Sequence, residues 1–418
     1  MITLTNQTHF EVVIIGAGQA GLSLSRLLTE EGVDHVLLER ETTAHEWRTG
    51  RWDNFTLVTP NWQCQLPGWS YSADDPNGFM NREQVHTFVT DYAKSFDAPV
   101  VEGVEVVGLS QTEDGYALST SAGALTADRV VIATGGYHTP IIPPFADQLP
   151  TDIRQLHSSE YRNSGDLPAG AVLVVGSGQS GAQIAEDLHL DGRQVHLALG
   201  GAPRCARFYR GKDCIEWLHD MGIYDIPVTK HAGGLAKRES TNHYMTGRDG
   251  GRDIDLRVFA TQGMELYGRL TGATSAELYF APTLAESLDR ADAVMDSIKN
   301  DIDAYIARAG IDAPSEPRYA PIWQPPVEPA TLDLEKAGIT SIVWSIGYRA
   351  DYSWVNVGVF DGQGHPAHQR GVSPASGLYF LGLPWLYSWG SGRFAGIERD
   401  ARFLADQIVS ARIGELVR

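Results

Sequence analysis

The sequence predicts an α/β chain built from two units of one kind, each a strand, a glycine-rich turn, a helix and a second strand. Three observations predict it. The apolar, β-branched run Phe10 to Ile15 reads as a buried parallel strand and leads into Gly16-Ala17-Gly18-Gln19-Ala20-Gly21. The pattern returns as Ala171 to Val175 followed by Gly176-Ser177-Gly178-Gln179-Ser180-Gly181. A chain of 418 residues, 43% hydrophobic, is long enough for two or three domains with sizeable cores.

The elements follow in order. Leu22, Leu24, Leu27 and Leu28 mark a helix after the first turn, and Val36 to Leu38 a second strand ending at Glu39. Trp47 to Gly68 carries aromatic and polar residues with few helical cues. Val100 to Val107, Tyr116 to Thr120 and Arg129 to Ala133 read as strands. Pro140, Pro143, Pro144 and Pro150 mark a linker. In the second unit the helix runs from Ala182 to Leu190 and the strand from Val195 to Leu199. Residues 205–270, rich in Gly, Arg and Asp, give no clear assignment. Leu284, Leu288, Ala291, Met295, Ile298, Ile302 and Tyr305 form a stripe that predicts a helix over 283–309, with Gly310 as its C-cap. Pro314 to Pro329 suggests the chain crossing back. The end reads as a strand Leu378 to Leu381, a turn at Gly390 and Gly392, and a helix from about Phe394 to Ala411.

A G-x-G-x-x-G run that leaves a strand and opens a helix is built to hold a dinucleotide. The first glycine makes the turn, the second lets a pyrophosphate approach, the third lets helix pack on strand. The free N–H groups at the helix N-terminus then face the phosphates. The two units differ at the end of their second strands. Glu39 lies twenty-one residues after Gly18, where an acid holds a ribose 2′-hydroxyl. The equivalent position after Gly178 is Leu199, followed by Gly200, Gly201 and then Arg204, Arg207 and Arg210. Guanidinium groups pair with a 2′-phosphate that a carboxylate would repel. The first site is therefore expected to hold a dinucleotide with a free 2′-hydroxyl, and the second NADPH.

Composition removes other classes. Lys plus Arg number 33 against 52 Asp plus Glu, a net charge of −19, which argues against nucleic acid and anionic membrane surfaces as partners. Three cysteines cannot form a disulfide framework, so a cytoplasmic location is expected. The polar opening, Thr3, Thr5, Asn6, Gln7 and Thr8, does not read as a signal peptide, and no apolar run is long enough for a membrane span. No metal-ligand spacing and no nucleophile motif is present; His365 and His368 read as loop residues.

Two such motifs resemble the two-dinucleotide-binding-domain flavoproteins, in which the first binds FAD and an inserted unit binds the nicotinamide. Ala133-Thr134-Gly135 is similar to the strand end that passes near FAD, and Gly377 to Gly382, with Gly396, Asp400 and Ala401, to the C-terminal FAD segment. Trp344-Ser345-Ile346-Gly347-Tyr348 resembles the hinge of flavin-containing monooxygenases, and His157 and Tyr161 the second half of their F-x-G-x-x-x-H-x-x-x-[FY] signature. The chain thus resembles the class B flavoprotein monooxygenases, bacterial members and plant auxin-forming enzymes especially. Arg51 to Phe55 and Leu66-Pro67-Gly68 also resemble FAD-dependent oxidoreductases of bacterial nitrilase gene clusters.

The resemblance implies an FAD domain in two parts, residues 1–160 and 326–418, with an NADPH domain and a helical insertion at 161–325. It implies an enzyme that forms a C4a-hydroperoxyflavin and transfers one oxygen atom from O2 to a small nucleophilic substrate at nitrogen, sulfur or activated carbon. Gly16, Gly18, Gln19, Ala20, Gly21, Glu39, Arg40, Trp47, Val106, Ala133, Thr134, Gly135 and Gly382 are the expected flavin-side residues. Gly176, Ser177, Gly178, Gln179, Ser180, Gly181, Arg204, Arg207 and Gly347 are the expected nicotinamide-side residues. There are departures. Thr151 and Ile153 replace the signature's Phe and first Gly, and Tyr161 stands where Baeyer–Villiger enzymes have Trp, which favours heteroatom oxygenation. The oxygen-handling Asn falls on Val58, leaving Thr59 and Asn61 as catalytic candidates. Trp62, Trp69, Tyr71, Phe79, Trp385, Tyr387 and Trp389 suggest an apolar pocket or core. An NADPH-dependent flavin oxidase or dehydrogenase is the alternative. A disulfide reductase lacks its cysteine pair, a non-enzymatic FAD-binding regulator leaves the second site unexplained, and a homodimer stays open.

Overall fold

The computed structural model describes residues 7–72 and 74–416, so the opening Thr3, Thr5 and Asn6 lie outside the described residues. Two sheets, one mixed and one parallel, organise the chain. The first has strands His35–Glu39, His9–Ile15 and Gly123–Ile132 at its centre, with Val100–Glu102 beyond His35–Glu39. Val12 to Ile15 run parallel to His35 to Leu38 on one side and to Arg129 to Ile132 on the other. These strands are buried on both faces, which is why they read as continuous apolar runs. The first half of Gly123–Ile132 instead pairs antiparallel with Gly115–Thr120, which pairs with Val106–Thr112. Leu378–Phe380 returns to pair parallel with Val130 to Ile132, so the C-terminal segment completes this sheet.

The second sheet is parallel throughout, in the order Arg154–His157, Ile339–Trp344, Ala171–Val175, Val195–Ala198, Glu265–Tyr267. Two of its strands, the edge strand Arg154–His157 and its neighbour Ile339–Trp344, lie beyond the span 161–325 expected from sequence. The hinge-like run Trp344 to Tyr348 therefore begins inside the second sheet. The chain crosses between lobes twice, and the two crossings pair with each other, Thr139–Pro140 antiparallel to Tyr348–Arg349. Two Rossmann-like lobes, one inserted in the other, match the α/β architecture read from the sequence.

Helix Leu284–Ala309 falls where its stripe predicts, closed by Gly310 at φ +65°. Helix Arg82–Ser95 is not anticipated. It starts from a capping box in which the Asn81 side chain accepts from the Gln84 N–H and Gln84 accepts from the Asn81 N–H. The span Val100 to Val107 is two strands, because Gly103 turns the chain at φ +72°. Residues 205–270 fold into short pieces, among them helices Cys214–Asp220 and Leu256–Thr261, each capped by an Asp side chain. No described helix is long and apolar enough to cross a membrane.

Candidate functional site

At the first loop, Gly16 has φ +108° and its missing Cβ would stand 2.7 Å from the Ala133 carbonyl oxygen. Gly21 lies so close to the Gly16 carbonyl that no Cβ fits there either. Gly18 differs from both: a Cβ there would meet no protein atom within 4 Å. The outer glycines are demanded by the protein's own packing, while the middle one faces space the chain leaves open. Helix Gln19–Glu30 begins at Gly18 with no side-chain cap and no acid in its first turn, so its N–H groups can receive an anion.

Other expected residues gather around this loop. Glu39 accepts from the Ala17 N–H (2.9 Å) and the Glu41 N–H (3.1 Å), which holds its carboxylate at the mouth of the turn. Gln19 accepts from Trp47 Nε1 (3.0 Å) and donates to the Gly392 carbonyl (3.3 Å). Ala20 sits 2.7 Å from where a Gly382 Cβ would be, tying the C-terminal segment to the loop. Thr134 follows Ala133 at the strand end; its buried hydroxyl has no partner among the described residues. Gly135 turns at φ +73° and its carbonyl accepts from Tyr352. Arg40 and Val106 stand at the margin. Arg40 pairs with Glu46 in solvent (3.3 Å). Val106 opens a meander strand opposite Thr120, and it is the Val104 N–H that donates to the Glu39 carbonyl.

The second loop repeats the geometry. Gly176, at φ +101°, presses on the Ser345 carbonyl, and Gly181 on the Gly176 carbonyl. Gly178 has nothing nearer than Thr241 Cγ2 at 3.7 Å. Helix Gln179–Leu190 starts at Gly178, again without a side-chain cap or an acid in its first turn. Ser177 accepts from the Gly200 N–H (3.1 Å), joining the loop to the end of Val195–Ala198. Gln179 donates to the Met245 carbonyl, while Ser180 lies in the same first turn. Gly347 turns the crossing at φ +93°; its carbonyl accepts from the Ile141 N–H and from the buried His157 ring. Burial holds His157 below the usual imidazole range, so it is neutral, with its other nitrogen on Ser159 (3.0 Å).

The arginines are placed differently from expectation. Arg204 is buried and pairs with Asp292 (2.7 Å) and Asp255 (3.3 Å), its guanidinium over the Tyr319 ring. Arg207 is fully buried, bonded to Asp213 and to the Val58 carbonyl (2.8 Å) and stacked on Phe79 at 4.3 Å. Arg210 pairs with Asp303 (2.9 Å). The basic run thus closes carboxylates of helix Leu284–Ala309 and of the lobe interface and presents no free guanidinium to a 2′-phosphate. Spacing in the sequence brought these arginines near the loop; it gave no sign of the acids, which come from up to a hundred residues away.

The catalytic candidates occupy the loop that meets the inserted lobe. Asn61 is buried and donates to the Asp75 carbonyl (2.9 Å), and its side-chain oxygen has no partner among the described residues. Thr59 lies two residues before it, beside the Val58 carbonyl that Arg207 takes. The seven aromatics do not form one pocket. Trp69 and Tyr71 pack on Tyr92 and Phe88 of helix Arg82–Ser95, Phe79 lies under Arg207, and Tyr387 lies under Arg370. Trp62 meets His219, while Trp389 stacks on Tyr224 and on Trp385. Cys205 and Cys214 come together in the interior, but burial and their mutual hydrogen bond push the Cys214 thiol up, far from a reactive thiolate. Cys64 is alone and buried, its thiol pushed up to about 12. Among the described residues no group of three His, Cys, Asp or Glu side chains could hold a metal.

Asp187 went unnoticed in the sequence. This buried carboxylate accepts from Asn54 (2.9 Å), Tyr161 (2.7 Å) and Arg248 (2.7 Å), binding the first lobe to the second glycine-loop helix. The available signal was a charge between Ile184 and Leu188, on a face that must be buried.

Two lobes, each with a glycine loop whose middle position is unobstructed, give the chain the architecture of two-domain flavoprotein oxidoreductases. The sequence model of the pyridine nucleotide-disulphide oxidoreductase family matches residues 13–216 and implies a flavin and a nicotinamide cofactor. The chain is 29% identical over 405 residues to an uncharacterized CzcO-like oxidoreductase of Geobacillus kaustophilus, covering 96% of this chain and 98% of that one. It is 31% identical over 199 residues to the indole-3-pyruvate monooxygenase YUCCA6 of Arabidopsis thaliana, covering 46% and 48%. The fold is that of a flavin-containing monooxygenase from Stenotrophomonas maltophilia, with a TM-score of 0.66 at 17% identity over 97% of this chain and 99% of that one. The resemblance to flavin-containing monooxygenases is borne out.

Proposed function

We propose that this chain is an FAD- and NADPH-dependent monooxygenase acting on a small nucleophilic substrate, with O2 as the oxygen source. The observation that carries the reading is the pair of loops in which only the middle glycine, Gly18 or Gly178, would take a Cβ without a clash. The first loop would hold the FAD pyrophosphate, Glu39 a ribose hydroxyl, and the second loop the NADPH pyrophosphate. When bound, the flavin supplies the hydride acceptance and oxygen activation, so the protein needs no acid–base dyad.

The chain's own part is binding, orientation and exclusion of water. Segment 383–391 closes on the inserted lobe: the Val228 N–H donates to the Tyr387 carbonyl (2.7 Å) and Ser388 to the Tyr224 carbonyl (2.6 Å). On the opposite side, Arg207 clamps the Val58 carbonyl. Asn61, whose buried amide oxygen has no partner among the described residues, is the side chain we assign to accepting a hydrogen bond there, with Thr59 two residues before it. The comparison proteins named for monooxygenase activity agree with this reading.

The test is isotopic. Turnover with NADPH under labelled dioxygen, across amines, thioethers and 2-oxo acids, places one labelled atom in a product. If no acceptor takes label and all NADPH consumed appears as hydrogen peroxide, the flavin oxidase reading replaces this one.

A further inference from the structure

The second loop needs a cation for a 2′-phosphate, and the arginines after it are committed to acids. We propose that Arg290, on the distant helix Leu284–Ala309, is the residue that selects NADPH over NADH, an inference that rests on the NADPH reading above. Its Nη2 stands 2.5 Å from where a Cβ on Gly201 would lie, so it covers the turn that ends strand Val195–Ala198. That turn is tied to the phosphate loop, because the Gly200 N–H donates to Ser177. The acid that would hold a free 2′-hydroxyl is replaced there by Leu199.

Three further observations fit a waiting anion site. Arg290 is exposed, and among the described residues it has no hydrogen-bond, ion-pair or ring partner. Two acids beside it on the helix are satisfied, Asp289 by Arg257 (2.6 Å), and Asp292 by Arg204 (2.7 Å) and Arg257 (2.9 Å), while Glu286, one turn before, makes no ion pair with it among the described residues. Neither acid is left to neutralise Arg290. The helix itself is fixed, since Leu284, Leu288 and Ala291 pack into one core with Leu199 and Ala202. Gly201 is small for the same reason: any larger residue would push the guanidinium off the turn. Leaving Arg204 paired and placing the specificity on a separate helix lets the charged anchor stay rigid while the selecting guanidinium stays solvated.

Isothermal titration of the purified flavoprotein with NADP+ and with NAD+ tests this by binding alone. Wild type is expected to hold NADP+ more tightly. Arg290→Gln is expected to weaken NADP+ by roughly tenfold or more and NAD+ by less than about twofold, with Arg290→Lys between, because a guanidinium–phosphate pair is charge-assisted and bidentate. Unchanged flavin content in the variants shows that the fold is intact. If wild type prefers NADP+ and Arg290→Gln keeps that preference, the assignment of Arg290 is overturned while the NADPH reading stands. If wild type binds the two nucleotides equally, the NADPH reading falls and the assignment with it.

Discussion

At the scale of single residues, the three glycines of one motif separate into two jobs, and substitution distinguishes them. Gly18→Val adds atoms only where the protein leaves space, at an unstrained φ of −83°. We expect a folded protein with the melting temperature of apoprotein and little bound flavin, read from absorbance near the flavin band; full flavin content would refute the pyrophosphate site. Gly21→Ala instead drives a Cβ into the Gly16 carbonyl. It should destabilise the fold by about 1–3 kcal/mol by overpacking, measured by denaturant unfolding. A second residue-scale expectation concerns pH. Burial lowers His196 from 6.5 to about 4, with its ring bonded to Tyr267 (2.9 Å). A depressed folded value means that the unfolded chain binds the proton first, so stability is full above about pH 6.5 and is lost as pH falls toward 4. The loss assigned to this group is on the order of 2–3 kcal/mol. Buried carboxylates such as Glu186 and Asp400, held above their usual range by desolvation, act in the opposite direction. The informative measurement is therefore the difference: His196→Phe should show a shallower fall in stability from pH 7 to pH 4 than wild type, and equal slopes would exclude the assignment.

At the scale of elements, the sequence was legible where a pattern is local. Strand Ala171–Val175 and helix Leu284–Ala309 stand where apolar runs and a stripe of period near 3.6 placed them. Helix Arg82–Ser95 escaped because its buried face is broken and mixed, Val85, Phe88, Val89, Tyr92 and Ala93, although Asn81 and Gln84 carried a start signal. Asn81→Ala removes that cap and should lower stability by about 1 kcal/mol, seen as a shift in thermal midpoint with flavin binding retained. The arginine cluster shows the limit of local reading. Glycine loops can be read from sequence because their geometry is set within six residues, whereas the partners of Arg204 arrive from Asp255 and Asp292. Arg204→Ala leaves the half-buried Asp255 carboxylate without its ion pair and Asp292 with Arg257 alone. It should destabilise the protein by about 3–5 kcal/mol while leaving the preference for NADP+ over NAD+ intact in the fraction that folds. A lost preference with normal stability would restore Arg204 to the nucleotide.

At the scale of the whole molecule, the lobes are joined by polar anchors. Asp187 draws on Asn54, Tyr161 and Arg248, and Arg207 spans from Asp213 to Val58. Such joints couple the lobes into one cooperative unit. Calorimetry of Asp187→Ala should therefore split or broaden a melting transition that is single in wild type, and a sharp single transition would show that apolar packing alone couples the lobes. The paired crossings carry another consequence. Thr139–Pro140 lies antiparallel to Tyr348–Arg349, and the Ile141 N–H reaches the Gly347 carbonyl at 3.0 Å. The inserted lobe thus leaves and re-enters its host at a single point, with both ends of the excursion already side by side. That makes it a cassette in its backbone: the stretch between Ile141 and Gly347 can be exchanged for another lobe whose ends lie side by side, provided the replacement keeps partners for Asn54 and the Val58 carbonyl.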